Sequence, residues 1–434
     1  MTNCKLKEID LEYIWHPCTQ MKDHEFLPLI PIKEGKGVKL YDFDGNSYID
    51  AISSWWVNIF GHSNSYINSR IKEQLDTLEH VILAGFSHKP AIDLAKKLVE
   101  LNSNTLKKVF FADNGSSAVE VALKMSYHYF KNNNIVKDVF LSLTNSYHGE
   151  TIGALSVGDV ELYKDTYKPL LIKNLQTPVP KDKSLDATKR ALEDLEEILK
   201  EHSHKIVAFI LEPLIQGAGN MHMYSSDYLV GARELTKRYG VHLILDEIMT
   251  GFGRSGTMFA YQQADIEPDF LCLSKGLTGG YLPLSVVMTT DKIYSAFYCD
   301  YSEHKAFLHS HSYTGNPLAC TAALATLELF EKEDTINKNR YLSEHISSWL
   351  KRLSKLDIVK SCRQTGMVAA FDIDGFDPED RVGLKVYEYG LKNGVLLRPL
   401  GNTIYFMPPY IITIDELDIV FKVAYEALLT QIMH

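Results

Sequence analysis

The sequence predicts an α/β fold, with a large domain built on a mostly parallel sheet and a smaller α+β domain. Two observations carry this. Short, wholly apolar runs alternate with stretches of helical period over most of the chain, which is how a parallel sheet covered by helices on both faces reads. After about residue 325 that alternation gives way to a helix followed by shorter mixed elements. The 434 residues are enough for two or three domains. The expected boundaries are 1–60 for an N-terminal segment packing with the small domain, 61–325 for the large domain and 326–434 for the C-terminal small domain.

The buried strands expected in the large domain are 109–111, Val139–Leu143, Ile206–Leu211, 241–245 and Phe270–Leu273. Between the first two, Ala118, Ala122, Met125 and Tyr129 recur at helical spacing behind Ser116 or Ser117, either of which can cap the helix. Leu192, Leu195, Ile198 and Leu199 mark a second amphipathic helix, and 132–134 and 178–184 read as exposed loops. In the small domain the ordered stretches are 366–372, 386–392 and 403–407. Residues 38–42 and 48–50 flank Asp44-Gly45 as a hairpin.

Composition removes several classes of function. With 45 Lys and Arg against 55 Asp and Glu, the net charge is -10, so the basic footprint of a nucleic-acid binder is absent. The stretch Met1-Thr2-Asn3-Cys4-Lys5 lacks the apolar core of a signal peptide. The most apolar run, 206–215, is interrupted by Glu212 and too short to span a bilayer. A cytoplasmic protein with no membrane partner is expected. The six cysteines are scattered without a C-x-x-C pair, which reads as buried free thiols rather than disulfides or a metal site.

The chemistry stands at strand ends. The run 241–245 leads into Asp246-Glu247, and at the carboxyl end of a sheet strand a side chain faces the ligand crevice. Alone, such a pair is more readily a helix cap or a surface pair. Phe270–Leu273 runs into Ser274-Lys275-Gly276 and aims a lysine at the same crevice. Together the two strands are sharper. A pyridoxal-phosphate (PLP) enzyme needs an amine to hold the cofactor as a Schiff base and a carboxylate to keep the pyridine nitrogen protonated. Lys275 and Asp246, on adjacent strands, meet that need. Asn114-Gly115-Ser116-Ser117 after a strand offers a helix N-terminus to a phosphate, and Ser146-Tyr147-His148-Gly149 offers an aromatic side chain to a ring. Residues 251–256 match G-x-G-x-x-G, but acids precede the motif and no helix start follows it, so a dinucleotide site is not expected there.

These motifs, with Leu211-Glu212-Pro213, Thr250-Gly251-Phe252-Gly253-Arg254 and Gly315-Asn316-Pro317-Leu318-Ala319, stand in the order of the class III aminotransferases, and the chain resembles that family end to end. The resemblance implies PLP-dependent transferase fold type I and a homodimer with active sites at the subunit interface. Trp15-His16-Pro17, Ser53-Ser54-Trp55-Trp56-Val57, Asn58-Ile59-Phe60-Gly61-His62, Gly153-Ala154-Leu155-Ser156-Val157-Gly158 and Leu397-Arg398-Pro399-Leu400 are similar to one branch of it. That branch implies transfer of an amino group from S-adenosylmethionine to 8-amino-7-oxononanoate, giving 7,8-diaminononanoate in biotin biosynthesis. Lysine as donor, or another class III ω-aminotransferase activity, is the alternative. By the same resemblance Lys275, Asp246 and Tyr147 are catalytic. Gly115, Ser116, Tyr147, Asp246 and Lys275 hold the cofactor, joined across the dimer by His311 and Ser312. Trp55, Trp56, Tyr147, Lys275 and Ser310 line the substrate pocket, and Arg398 takes the keto-acid carboxylate. Adjacent residues of a strand face opposite sides, so one of the two tryptophans is expected in the core.

The sequence departs from the family pattern in three places. Cys18 stands where the family has a tyrosine associated with substrate recognition. Ser310-His311-Ser312-Tyr313-Thr314 differs from the usual Gly-Pro-Thr version, nearer to lysine-using relatives. Gln216-Gly217 is followed by Ala218 rather than an acid, which argues against glutamate as donor.

Overall fold

Asp42 organises the N-terminal hairpin. Its carboxylate accepts from the backbone N–H of Asp44 (3.0 Å) and Asn46 (2.8 Å), from Asn46 Nδ2 (2.8 Å) and from the Tyr48 hydroxyl (2.9 Å). Burial raises its pKa, but the donors outweigh that and bring it down to about 2. Gly45, at φ 93°, supplies the turn. β1 (Ile32–Lys36) pairs antiparallel with β2 (Lys39–Asp42), and β2 with β3 (Ser47–Asp50) forms the antiparallel hairpin expected around that turn. The structure is a computed structural model, and it describes residues 2–102 and 105–432. It divides into two units, Met1–Ser65 with Tyr341–His434, and Tyr66–Arg340.

The larger unit carries β4 (Lys108–Ala112), β5 (Val139–Leu143), β6 (Asn174–Thr177), β7 (Ile206–Leu211), the short pair β8 (Ile215–Gln216) and β9 (His222–Met223), then β10 (His242–Asp246), β11 (Phe270–Leu273) and β12 (Ser285–Thr289). Seven of these form one sheet in the order β4-β12-β11-β10-β7-β5-β6. Only β12 runs against its neighbours β11 and β4. All five strands expected from the sequence lie in this sheet. Every residue of β7, β10 and β11 is buried, which is why these runs are apolar on both faces. The helix Gly115–Asn132 covers one face through Ala118, Ala122 and Met125, in a core shared with Phe270, Cys272 and Val287.

That helix starts two or three residues earlier than expected. Its cap is Asn114, whose side chain accepts from Ser117 N at 3.0 Å, and not Ser116 or Ser117. An asparagine can fill the role as well as a serine, and the shift leaves Gly115 and Ser116 as the first two helical residues. The second amphipathic helix is Leu185–His202, capped by Ser184. It meets the helix Ser226–Arg238 at Gly231, where an added Cβ would come within 2.4 Å of Leu192.

In the smaller unit, β13 (Val359–Thr365), β14 (Val368–Ile373) and β16 (Thr403–Phe406) form an antiparallel sheet, and β15 (Val395–Leu396) extends the first sheet by running parallel to β3. Phe406 packs on Phe421 of the helix Ile414–Ala427 with ring centroids 4.2 Å apart. No helix among the described residues is long and apolar enough to cross a membrane. The cysteines are all free, but the expectation of burial holds only for Cys272 and Cys320. Cys4, Cys18 and Cys299 are exposed, because they lie near the N-terminus or in loops rather than in the sheet.

Candidate active site

Strands β4, β5, β7, β10 and β11 all point one way, so the residues after their carboxyl ends gather along one edge of the sheet. That edge receives Gly115 and Ser116 after β4, Tyr147 and His148 after β5, Glu212 after β7, Asp246 at the end of β10 and Lys275 after β11. Asp246 is in register with Cys272, three residues before Lys275.

Asp246 is buried. One carboxylate oxygen takes His148 Nδ1 at 2.7 Å and the other the backbone N–H of Ile248 at 3.1 Å. An ionised carboxylate only accepts, so the hydrogen sits on Nδ1 of His148, and Nε2 of that buried ring has no hydrogen-bond partner among the described residues. Lys275 opens a single 3₁₀ turn, Lys275–Thr278, with φ 45°. Such a conformation costs a non-glycine residue about 1–2 kcal/mol and is typical of functional positions. Burial lowers its amine to about 8, against the pull of the Asp246 and Glu212 carboxylates. A lysine so tuned is partly neutral near pH 7, as a nucleophile and proton acceptor must be.

Glu212 ties two of the loops together. Its carboxylate accepts from Tyr147 N (3.0 Å) and Gly217 N (2.9 Å). Burial raises it to about 7, with His148 opposing and Asp246 adding to the shift. The Ser116 hydroxyl accepts from Glu150 N at 3.2 Å, and a Cβ on Gly149, at φ 125°, would fall 2.0 Å from that oxygen. Gly149 therefore lets the β5 loop close on the helix start. The Tyr147 ring is half-buried and meets Tyr163 edge-on at 5.6 Å.

This donor set fits PLP. A buried carboxylate can face a ring nitrogen, a lysine of lowered pKa can face a carbonyl carbon, and a helix start with a hydroxyl can face a phosphate, all on one sheet edge. Sequence reasoning gave no role to His148 or Glu212, although both belong to motifs that directly follow strands. Glu247 is different. It is fully buried and accepts from Ala260 N and Tyr261 N, both at 2.7 Å, so it anchors the turns after β10. Residues 251–256 form turns and open no helix, so they lack the architecture of a dinucleotide site.

The smaller unit brings together three of the expected substrate residues. Arg398 Nη2 donates to the Cys18 carbonyl at 3.2 Å, and the guanidinium lies 4.9 Å from the centroid of the exposed Trp55 ring. Trp56 is buried and packs edge-on against Tyr405 at 6.1 Å. One tryptophan in the core and one outside agrees with the expectation, but the reason differs. Ser53–Trp56 is no strand. It is a turn with φ of 53°, 46°, 71° and 75°, a left-handed run at about 1–2 kcal/mol per residue.

Ser310, His311 and Ser312 lie in the irregular segment before the helix Pro317–Lys332, with Ser310 and Ser312 exposed. The His311 carbonyl accepts from Thr314 N (3.3 Å) and Thr314 Oγ1 (2.9 Å). No hydrogen bond among the described residues links these three side chains to Asp246 or Ser116.

A sheet edge of this make-up defines a PLP-dependent transferase of fold type I. Residues 20–428 match the family model for aminotransferase class-III, and the chain belongs to that family. It is 57% identical over 417 residues, covering 95% of this chain and 94% of the relative, to the adenosylmethionine-8-amino-7-oxononanoate aminotransferase of Helicobacter pylori. The crystal structure of the enzyme of the same name from Methanocaldococcus jannaschii superposes with a TM-score of 0.95 at 39% identity, covering 98% and 99% of the two chains. A PLP-bound amine transaminase from an uncultivated Pseudomonas species matches with a TM-score of 0.87 at 31% identity, over 96% and 97% of the chains.

Proposed function

We propose that this protein is a PLP-dependent aminotransferase that moves an amino group from S-adenosylmethionine to 8-amino-7-oxononanoate, forming 7,8-diaminononanoate for biotin synthesis. The observation that carries the substrate reading is the Arg398–Trp55 pair, with the guanidinium 4.9 Å from the ring centroid. An aromatic face suits a long alkyl chain, and a guanidinium fork suits a carboxylate at its end. The names of the relatives point the same way.

When bound, PLP supplies a protonated conjugated ring that takes up the electron pair released at the donor carbon. Lys275 moves the proton at that carbon in the first half-reaction and returns one at the acceptor carbon in the second. Asp246, ionised and oriented by His148, keeps a proton on the ring nitrogen. Gly115 and Ser116 hold the phosphate from the helix start. Tyr147 flanks the ring. Arg398, held by Cys18 through its backbone carbonyl, orients the keto acid. Because that contact uses the main chain, a cysteine can stand where relatives have tyrosine without loss of this bond. The protein works as a homodimer, in which the stretch 310–312, with Ser310 and Ser312 exposed, serves the second subunit.

Arg398→Ala is expected to raise the KM for 8-amino-7-oxononanoate far more than that for the donor. Arg398 is exposed in the free chain; once the bound keto acid closes the pair off from water, truncating one partner costs about 2–5 kcal/mol, or roughly 30-fold and upward. Steady-state kinetics with each substrate varied in turn check this, and equal losses for both would place Arg398 elsewhere.

The donor is tested by a single half-turnover. The PLP-loaded enzyme is mixed with S-adenosylmethionine or lysine alone, and the cofactor absorbance is followed. Fast conversion by S-adenosylmethionine is expected. Conversion by lysine alone would overturn the donor while leaving the aminotransferase assignment intact.

A further inference from the structure

Four consecutive non-glycine residues in left-handed conformation, Ser53 to Trp56, persist only where the surroundings over-determine them. We propose that Asp50 is the positioning residue that pins this turn and so presents Trp55 with Arg398 to the keto acid. The inference rests on the assignment of Trp55 and Arg398 to that substrate.

Asp50 is fully buried. One carboxylate oxygen takes the Ser54 N–H at 2.9 Å. The other takes the Ser54 hydroxyl at 2.6 Å and His62 Nε2 at 3.0 Å. Asn58 Nδ2 lies 3.2 Å from His62 Nδ1 and donates to it, so the hydrogen of His62 is on Nε2 and points at Asp50. Ser53 Oγ adds a bond of 2.6 Å to the Met407 carbonyl. The carboxylate thus fixes the second residue of the turn at both its backbone and its side chain.

Strand pairing explains why the pinned turn meets Arg398. Asp50 ends β3 and is in parallel register with Leu396 of β15. The chain leaves both strands on the same edge, Trp55 five residues past Asp50 and Arg398 two past Leu396. Their approach to 4.9 Å therefore depends on the turn keeping Trp55 on that edge.

The test compares Asp50→Asn, Ser54→Ala and Trp55→Ala. Asp50→Asn keeps the volume but cannot accept at both oxygens, and it is expected to raise the KM for 8-amino-7-oxononanoate roughly tenfold with kcat little changed, as loss of binding common to ground and transition states does. Ser54→Ala, which deletes one hydroxyl and so decides the matter should Asp50→Asn fail to fold, is expected to raise the same KM by roughly threefold. In a Trp55→Ala background, neither change should raise KM further, because both act through Trp55. Additive losses would show that Asp50 acts elsewhere and overturn the proposal. Normal KM in Asp50→Asn and Ser54→Ala beside a raised KM in Trp55→Ala would defeat the proposal alone. A normal KM in Trp55→Ala would defeat the Trp55 assignment and the proposal with it.

Discussion

Lys275→Ala is expected to abolish turnover while leaving the protein folded. Lys275 is the amine that combines a lowered pKa of about 8 with a position past β11 on the sheet edge. Two functions depend on it, covalent attachment of the cofactor and transfer of the proton at the reacting carbon. Loss of a positioned acid–base group alone costs about 10²–10⁴-fold, so a decline at or beyond the upper end is expected. Alanine also accepts φ 45° no better than lysine, so the fold gains nothing by the change. Product formation with both substrates measures activity, and circular dichroism measures the fold. Sustained multiple turnover in the variant would remove Lys275 from its role.

Asp246→Asn is expected to lower kcat by roughly 30- to 4,000-fold, the loss of about 2–5 kcal/mol that follows when a buried charge partner is neutralised. The carboxylate accepts two hydrogen bonds inside the protein, from His148 and Ile248. An amide has one oxygen and cannot serve both partners together with a ring N–H. The ring nitrogen then loses its counter-charge, and the electron sink weakens. A buried donor left without a partner costs about 1–3 kcal/mol of stability besides, so a modest fall in Tm should accompany the kinetic loss. A near-normal kcat at saturating PLP would contradict the role of Asp246.

The large sheet was legible because strands buried on both faces must be apolar throughout. The runs ending at Leu211, Asp246 and Leu273 can hardly be read otherwise. The same argument placed Asp246 and Lys275 at strand ends, where ligands bind. The two sheet strands that escaped were β6, Asn-Leu-Gln-Thr, a polar edge strand, and β12, Ser-Val-Val-Met-Thr, whose single reversed direction leaves no mark on its composition.

Sequence by itself determined the strand ends, the lysine and carboxylate on adjacent strands, and the family, since each rests on local apolar runs or short motifs. Tertiary structure alone decided which groups touch. That His148 orients Asp246, that Glu212 holds the Tyr147 backbone, and that Cys18 meets Arg398 through its carbonyl are contacts between residues 98, 65 and 380 positions apart. Spacing along the chain carries no information about such distances. The left-handed turn at Ser53–Trp56 was hidden for a related reason. Four non-glycine residues do not choose that conformation by local preference, and here a buried carboxylate and a histidine twelve residues away impose it.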